Sequence, residues 1–496
     1  MSLLAFFGYI LINSLRANLS VAIISMVNHS AIAQQTTAQS SKPQTSTITS
    51  LTSQTCIVPA DSLNATQSQP QEEGEFAWSE SEQGELLGAI YYGYILTQIP
   101  GGWLAGRFGG KWVFGLGILA TSLLTLLTPL AARSSFTALF CLRVLEGITE
   151  GFSVPACHAI WGAWCPPMER SVIPAFAISG LVVGTIVSFA LSGFLCATFG
   201  WPSAFYLFGV LGCLWFLFWV FLASSTPEEH RFISVLEKQH IQCAIAAEKS
   251  SVVRKGEVPW RNIFSSVPVW AIIVSHFSEN WGLYILMAEM PDYLSTILGF
   301  QLTSDGLLSS LPYLMRTLTG YAAAAVVDFS RSRFGIPTKP LRRWFDATGK
   351  CLAATMLVGV SLAGCNKSLA LICLIGAVGA GGLSVAGFIV NHLDIAPQYS
   401  GLLFGITNTF GTLPGFLGPA LAGVLTDHNN TLEAWRSIFY ITAGIYLGGA
   451  VFWLCFMEAS IQPWAQLQPT LQSPDTPSLN PSSPSTDILL QTLPTT

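Results

Sequence analysis

Four ionisable residues share one apolar stretch of the sequence: Arg143, Glu146, Glu150 and His158. A helix turns about 100° per residue, so Glu150 falls about 20° from Arg143 and the other two fall about 60° to either side. One helix face therefore offers a cation that can bind an anion, together with two acids and an imidazole that can bind protons. Each such group costs about 2.5–3.5 kcal/mol in hydrocarbon, so this face is expected to meet a partner or a watery cavity.

A fifth charged residue, Arg16, interrupts the first apolar stretch. Its planar guanidinium can bind a carboxylate through two parallel hydrogen bonds, which a lysine cannot reproduce. Two interpretations are open. Arg16 either pairs with a carbonyl or an acid on another helix, or it clamps the carboxylate of a substrate.

The other groups also have a structural and a functional interpretation. Arg143 and Glu146 stand three residues apart, so they could hold one helix together, or they could exchange partners when substrate or a proton arrives. Glu150 has no cation on its own turn, which favours a role as the coupling acid. His158 follows Pro155, which is expected to bend the helix, and it is interpreted as either a structural or a proton-coupling histidine.

The composition places these residues in a membrane. Of 496 residues, 51% are apolar and only 10% are charged, whereas a soluble protein carries about 25% charged residues. The prediction is an all-α membrane protein with twelve transmembrane helices. The predicted spans are 3–27, 84–105, 112–132, 137–160, 173–197, 202–223, 268–298, 305–327, 345–364, 369–392, 400–426 and 434–457.

Polar segments divide the chain into two halves of six spans. The prediction is an N-terminal half, 1–224, with a lumenal insert at 28–83, and a C-terminal half, 267–460. A charged cytosolic loop, 225–266, joins them, and a Pro/Ser/Thr-rich disordered tail follows at 461–496.

The basic residues orient the chain. If both chain ends are cytosolic, fourteen Lys and Arg lie in cytosolic loops and four on the other side, a strong positive-inside bias. The fourteen are Arg107, Lys111, Arg170, Arg231, Lys238, Lys249, Arg254, Lys255, Arg261, Arg331, Arg333, Lys339, Arg342 and Arg343; the four are Lys42, Arg133, Lys367 and Arg436. The insert then carries a lumenal glycosylation sequon at Asn64. Most cysteines lie in the spans and Cys56 stands alone in the insert, so no disulfide framework is predicted.

Several motifs carry a family resemblance. The loop from Gly102 to Lys111 resembles the glycine-rich basic loop of the major facilitator superfamily, although Gly106 stands where that loop usually has Asp. Other motifs resemble its anion–cation symporter family, which contains sialin, the vesicular glutamate transporters and the sodium-phosphate transporters, and the resemblance is closest to the sialin-like members. The motifs are Arg16-Ala-Asn18-Leu-Ser20, Gly93-Tyr94-Ile-Leu-Thr97-Gln98, Pro166-Pro167-Met-Glu169-Arg170-Ser171, Asn391-His392-Leu-Asp394 and Gly405-Ile-Thr-Asn408-Thr.

The resemblance implies the major facilitator fold and a secondary active transporter of organic anions. Proton coupling and a sialic acid, acidic amino acid or related anion as substrate are expected. A sodium-dependent phosphate or voltage-driven urate transporter, and an anion channel or sensor on the same scaffold, are the alternatives. The implied membrane is lysosomal, vesicular or plasma membrane. No enzyme activity, metal, cofactor or nucleic-acid partner is predicted, and a monomer is expected.

The implied site combines the charged residues with polar residues of other spans. Arg16, Arg143, Tyr94, Asn280, Tyr284 and Asn408 are expected to bind substrate, and Glu146, Glu150 and His158 to couple protons. Arg316 is extra to the sialin-like pattern, and its role is open: it is either a helix-packing charge or a second cation for anions. Glu279, Glu289 and Asp292 are also extra to the pattern, and one of the three could pair with Arg316.

Overall fold

The structure is a computed structural model that describes residues 1–28, 74–78, 80–249, 258–298, 302–426 and 431–466. Helices dominate this part of the chain. In chain order they are α1 (Ser2–Met26), α2 (Glu80–Phe108), α3 (Gly110–Ser134), α4 (Phe136–Gly151), α5 (Ser153–Trp164), α6 (Val172–Phe199), α7 (Pro202–Leu222), α8 (Val235–Lys249), α9 (Trp260–Ser265), α10 (Val267–Asp292), α11 (Leu302–Phe334), α12 (Thr338–Ala363), α13 (Lys367–Ala380), α14 (Phe388–Ile395), α15 (Ser400–Thr412), α16 (Pro414–Thr426) and α17 (Leu432–Phe456).

These helices follow the twelve predicted spans, with α4–α5, α13–α14 and α15–α16 each forming one interrupted span. Eight helical segments of the described chain are long and apolar enough to cross a membrane by composition alone. The spans that miss this criterion are α2, α4–α5, α10 and α11. Those four carry most of the polar groups of the site described below, which is why their hydropathy is low.

The fourth span is interrupted close to the predicted proline bend. Pro155 has no N–H, so the carbonyl four residues earlier, on Gly151, loses its helical donor. Helix α4 ends at Gly151 and α5 begins at Ser153. The break therefore lies at Phe152, three residues before the proline, and Pro155 itself lies inside the first turn of α5.

Each half has its own apolar core, and glycines join the halves at one end. A Cβ on Gly102 of α2 would contact the backbone of Gly401 and Leu402, and one on Gly401 would contact Pro155 and Ala159. Only glycine permits this backbone approach between α2, α5 and α15. This end of the bundle, next to the basic residues Arg107, Lys111, Arg170, Arg331 and Lys339, is called the basic end below.

Two expectations need correction. Arg342 was predicted to lie in a cytosolic loop, but it is fully buried within α12. The prediction was wrong because α12 begins at Thr338 with a polar first turn, which a hydropathy pattern does not distinguish from a loop. Cys365, beyond the end of α12, is disulfide-bonded, contrary to the prediction of no disulfide framework. The sequon Asn64, most of the insert 28–83 and residues 467–496 of the tail lie outside the described residues.

Candidate functional site

The centre of the site is an ion pair between α1 and α4. The Arg16 Nε donates to Glu150 Oε1 at 3.0 Å, and its Nη2 contacts the same oxygen. The acid that lacked a cation on its own turn thus has one on another helix. The second oxygen, Glu150 Oε2, is buried and has no hydrogen-bond partner among the described residues. A buried carboxylate oxygen without a hydrogen-bond partner is costly.

Aromatic and amide side chains surround Arg16. Its guanidinium lies over the rings of Tyr94 at 4.7 Å and Tyr91 at 5.6 Å, contacts that stabilise a cation without neutralising it. The Tyr284 ring of α10 lies 6.4 Å from that of Tyr91. Asn408 of α15 donates to the Tyr94 hydroxyl at 3.1 Å and to Gln98 Oε1 at 3.0 Å. The shell therefore draws on both halves of the molecule.

Asn280 and Arg143 lie behind this shell. Asn280 Nδ2 donates to the Gly411 carbonyl at 2.7 Å, so its amide is hydrogen-bonded to the backbone of α15. Arg143 is 1% exposed; its Nη1 donates to Glu146 Oε2 at 2.6 Å and its Nη2 to the Arg16 carbonyl at 3.2 Å. This arrangement supports the backbone of Arg16 from within the N-terminal half.

Glu146 has hydrogen bonds to both of its carboxylate oxygens. Besides the Arg143 bond, its Oε1 accepts from the hydroxyls of Thr125 at 3.1 Å and Thr128 at 3.2 Å. Both carboxylate oxygens are therefore engaged, whereas Glu150 keeps one free.

His158 does not join this cluster. It lies on α5, eight residues or about 12 Å along the span from Glu150. Its ring stacks on Phe404 with centroids 3.8 Å apart, and the His392 ring lies 6.0 Å away. The predicted groups thus separate into a charged centre at Arg16 and an imidazole centre nearer the basic end. Of the predicted substrate residues, Arg16, Tyr94, Tyr284 and Asn408 come together.

A second buried ion pair occupies the C-terminal half. Arg316 Nη1 on α11 donates to Glu279 Oε1 on α10 at 2.7 Å, and the Ser384 hydroxyl donates to Glu279 Oε2 at 3.2 Å. The chain between α13 and α14 is a 3-10 segment, Gly381–Val385, and a Cβ on Gly381 would contact both charged groups. The sequence suggested this pairing only as one option.

Two further buried pairs escaped the sequence interpretation. Lys350 Nζ binds Asp346 Oδ2 at 2.6 Å and the Ser275 hydroxyl at 2.7 Å. Arg342 Nε binds Asp394 Oδ2 at 2.8 Å. The signal was present for Lys350 and Asp346, since both lie inside the predicted span 345–364 and a charged residue inside a span is a functional or paired group by default. Arg342 and Asp394 lie just outside the predicted spans.

Side chains and backbone close the basic end across the two halves. The Asp328 carboxylate of α11 accepts from the Ser171 N–H at 3.2 Å and the Val172 N–H at 3.0 Å, at the start of α6. Arg331 Nη1 donates to the Pro167 carbonyl at 2.6 Å, and Arg342 Nη1 to the Ser171 hydroxyl at 2.7 Å. We call these four bonds the closure. An acid at a helix N-terminus is favourable because the free N–H groups and the helix dipole both attract it.

Comparison with known proteins decides the family. The family model described as Major Facilitator Superfamily matches residues 5–419. The chain belongs to that superfamily. It is 41% identical to human sialin over 94% of this chain and 90% of sialin. It is 35% identical to vesicular glutamate transporter 1 of Xenopus tropicalis, over 93% of this chain and 75% of that protein.

Solved structures agree on the fold. A proton:xylose symporter gives a TM-score of 0.65 at 14% identity, covering 92% of this chain and 95% of that one. The human organic anion transporter gives 0.59 at 16% identity, covering 91% and 98%. The predicted fold class and the sialin-like resemblance are therefore confirmed. The chain is a multi-pass membrane protein among the secondary transporters of organic anions, and is not an enzyme.

Proposed function

We propose that this sialin-like transporter moves a carboxylate-bearing organic anion together with a proton, and that Arg16 and Glu150 perform the exchange. The observation that carries the proposal is the half-satisfied Glu150 bound to Arg16. Arg16 keeps 18% of its side-chain surface exposed, whereas Glu150 keeps 1%. The arginine is therefore the member of the pair that an anion can reach.

The exchange follows from charge balance. When a proton binds Glu150, the carboxyl no longer neutralises Arg16, and the substrate carboxylate takes over the guanidinium. Arg16 then holds one anion in either state, so the buried charge stays balanced. When the proton leaves, Glu150 recovers Arg16 and the anion is released. A monocarboxylate and one proton cross together without net charge.

The remaining predicted residues have supporting roles in this proposal. Tyr94, Tyr284 and Asn408 line the anion site, Asn280 and Arg143 hold its backbone, and Glu146 fixes Arg143. The relatives named above favour a lysosomal or vesicular membrane, and sialic acid or an acidic amino acid as the substrate. The monomeric state and a glycan on Asn64 stay predictions.

Disulfide-bonded Cys365 supports the proposed orientation. It follows the end of α12 opposite the basic end, and disulfides persist in oxidising compartments such as organelle lumens and the cell exterior. The basic end then faces the cytosol, as the positive-inside bias predicts.

The test is uptake into proteoliposomes under separately imposed pH, sodium and voltage gradients, with sialic acid, glutamate, urate and phosphate as substrates. The proposal expects accumulation of a carboxylate anion driven by the pH gradient alone. Accumulation that needs sodium or voltage instead would support the phosphate or urate alternatives. Flux that never exceeds electrochemical equilibrium would identify a channel.

A further inference from the structure

Three buried imidazoles from both halves pack around one phenylalanine. His158 of α5, His276 of α10 and His392 of α14 place their ring centroids 3.8, 5.6 and 5.4 Å from that of Phe404. Histidine is the side chain whose charge changes most readily near neutral pH. The sequence analysis assigned a role to His158 alone, so the roles of the other two are additions from the structure.

A single hydroxyl joins two of these rings. Thr407 Oγ1 lies 2.8 Å from His392 Nε2 and 3.2 Å from His276 Nδ1. The other nitrogen of His392, Nδ1, lies 2.9 Å from the Ile389 carbonyl oxygen. A carbonyl only accepts, so His392 Nδ1 carries a proton.

The tautomers follow from this assignment. Neutral His392 has no proton on Nε2, so this nitrogen accepts a hydrogen bond from the Thr407 hydroxyl. The hydroxyl has two possible acceptors, and His392 Nε2 at 2.8 Å is nearer than the Phe404 carbonyl at 3.2 Å. The Thr407 oxygen then accepts from His276 Nδ1–H. The donors therefore all point in one direction: from His276 to Thr407, from Thr407 to His392, and from His392 to the Ile389 carbonyl.

We propose that this bridge relays a proton: Thr407 passes it between His276 and His392, and so gives the transporter a second proton station besides Glu150. A proton binds His276 Nε2, the Nδ1 proton moves to Thr407, and the Thr407 proton moves to His392 Nε2. One proton enters and one N–H forms on His392, so atoms and charge balance. His276 is the entry because it is 5% exposed, whereas His392 is fully buried.

Charged groups near the bridge lie on α12 and α14. Lys350 of α12 lies over the Phe388 ring at 5.1 Å, and that ring lies 5.0 Å from His276. Lys350 is paired with Asp346, and Asp394, two residues after His392, is paired with Arg342. These acids are therefore already neutralised, which leaves the imidazoles as the groups free to take the proton.

The station also connects the halves electrostatically. His158 belongs to the N-terminal half, and neither of its buried ring nitrogens has a partner among the described residues. Its ring lies 6.0 Å from that of His392. Two imidazolium charges at this distance repel, so a proton on His392 disfavours a proton on His158.

The test compares Thr407→Val, which removes the hydroxyl at nearly constant volume, with Thr407→Ser, which keeps it. The inference rests on the proposed proton coupling, so wild type is measured in parallel. Thr409→Val is the matched control, since among the described residues its hydroxyl bonds only the Gly405 carbonyl of its own helix. Each variant is assayed in proteoliposomes for sialic acid accumulation driven by a pH gradient, and for counterflow exchange at equal pH.

We expect Thr407→Val to lower pH-driven accumulation about tenfold while counterflow persists, and Thr407→Ser and Thr409→Val to behave as wild type. Wild-type accumulation in Thr407→Val, or equal losses in Thr407→Val and Thr407→Ser, would overturn the relay and leave the Glu150 proposal intact. Absence of pH-driven accumulation in wild type would overturn both. If Thr407→Val fails to fold, Thr407→Ala gives the same comparison with Thr407→Ser.

Discussion

The two halves each bury an arginine–glutamate pair in mid-span, yet the pairs differ in whether both carboxylate oxygens are hydrogen-bonded. In the N-terminal pair, two nitrogens of Arg16 share one oxygen of Glu150, and the other oxygen has no partner in the described chain. In the C-terminal pair, Glu279 has both oxygens bonded, to Arg316 and to Ser384.

This difference separates two uses of the same chemistry. A carboxylate with a free oxygen gains from binding a proton, whereas one with both oxygens bonded loses hydrogen bonds when it is protonated. The N-terminal pair is therefore suited to exchange, and the C-terminal pair to holding α10, α11 and the 3-10 segment together. Four predictions test this division.

Replacing Arg16 should give the largest effect. Arg16→Lys keeps the charge but loses the two-nitrogen contact, so uptake should fall on the order of a hundredfold. Proteoliposome uptake, normalised to protein inserted, measures this. Arg133→Lys is the matched control, because Arg133 also binds a glutamate with two nitrogens, but on the exposed surface. Normal uptake in Arg16→Lys would reject the clamp.

Glu150→Gln should remove the response to pH. The amide cannot release a proton, so pH-driven accumulation should fall about tenfold or more while counterflow exchange persists. The control is Glu279→Gln, which should keep the wild-type response per folded molecule. A pH response that disappears equally in both variants would contradict the division between the pairs.

Glu279→Gln should instead act on stability. It leaves Arg316 charged and unpaired in a buried place, at a cost of about 3 kcal/mol. A lower Tm in detergent would show this. The double variant Glu279→Leu/Arg316→Met removes both charges and should recover most of the loss. A single variant as stable as wild type would show that Arg316 has another partner or open water.

The smallest effect belongs to the exposed pair of Glu75 and Arg133. The hydrogen bond from Arg133 holds the pKa of Glu75 below its usual range. The folded pKa lies below the unfolded one, so the pair stabilises the fold above the unfolded pKa, and this contribution disappears as pH falls through the folded pKa. Arg133→Gln should cost at most about 1 kcal/mol at neutral pH, and nothing in strong acid. Tm measured against pH checks this.

The sequence predicted the spans and the presence of charged residues within them, because apolar runs and the charges that interrupt them are local signals. It did not predict which charges meet. Arg16 and Glu150 are 134 residues apart, and the pairing of α1 with α4 is a property of the packed bundle. Periodicity along α4–α5 also grouped His158 with Glu150, whereas their distance along the helix axis separates them.

Arg342 and Thr407 show two other limits of prediction from the sequence. Hydropathy assigned Arg342 to a loop, because a buried ion pair at a helix start has the composition of a loop. Thr407 looked like an ordinary threonine in an apolar helix, and only the positions of His276 and His392 reveal its bridging role.

The closure at the basic end has a kinetic consequence. Its four hydrogen bonds, each involving Asp328, Arg331 or Arg342, lie between the segment 167–172 and two helices of the other half. They join the two halves at this end, so they must break before cargo can leave on that side. Opening is thus expected to limit turnover. Cooling should slow the transport cycle steeply while the apparent affinity for the anion changes little.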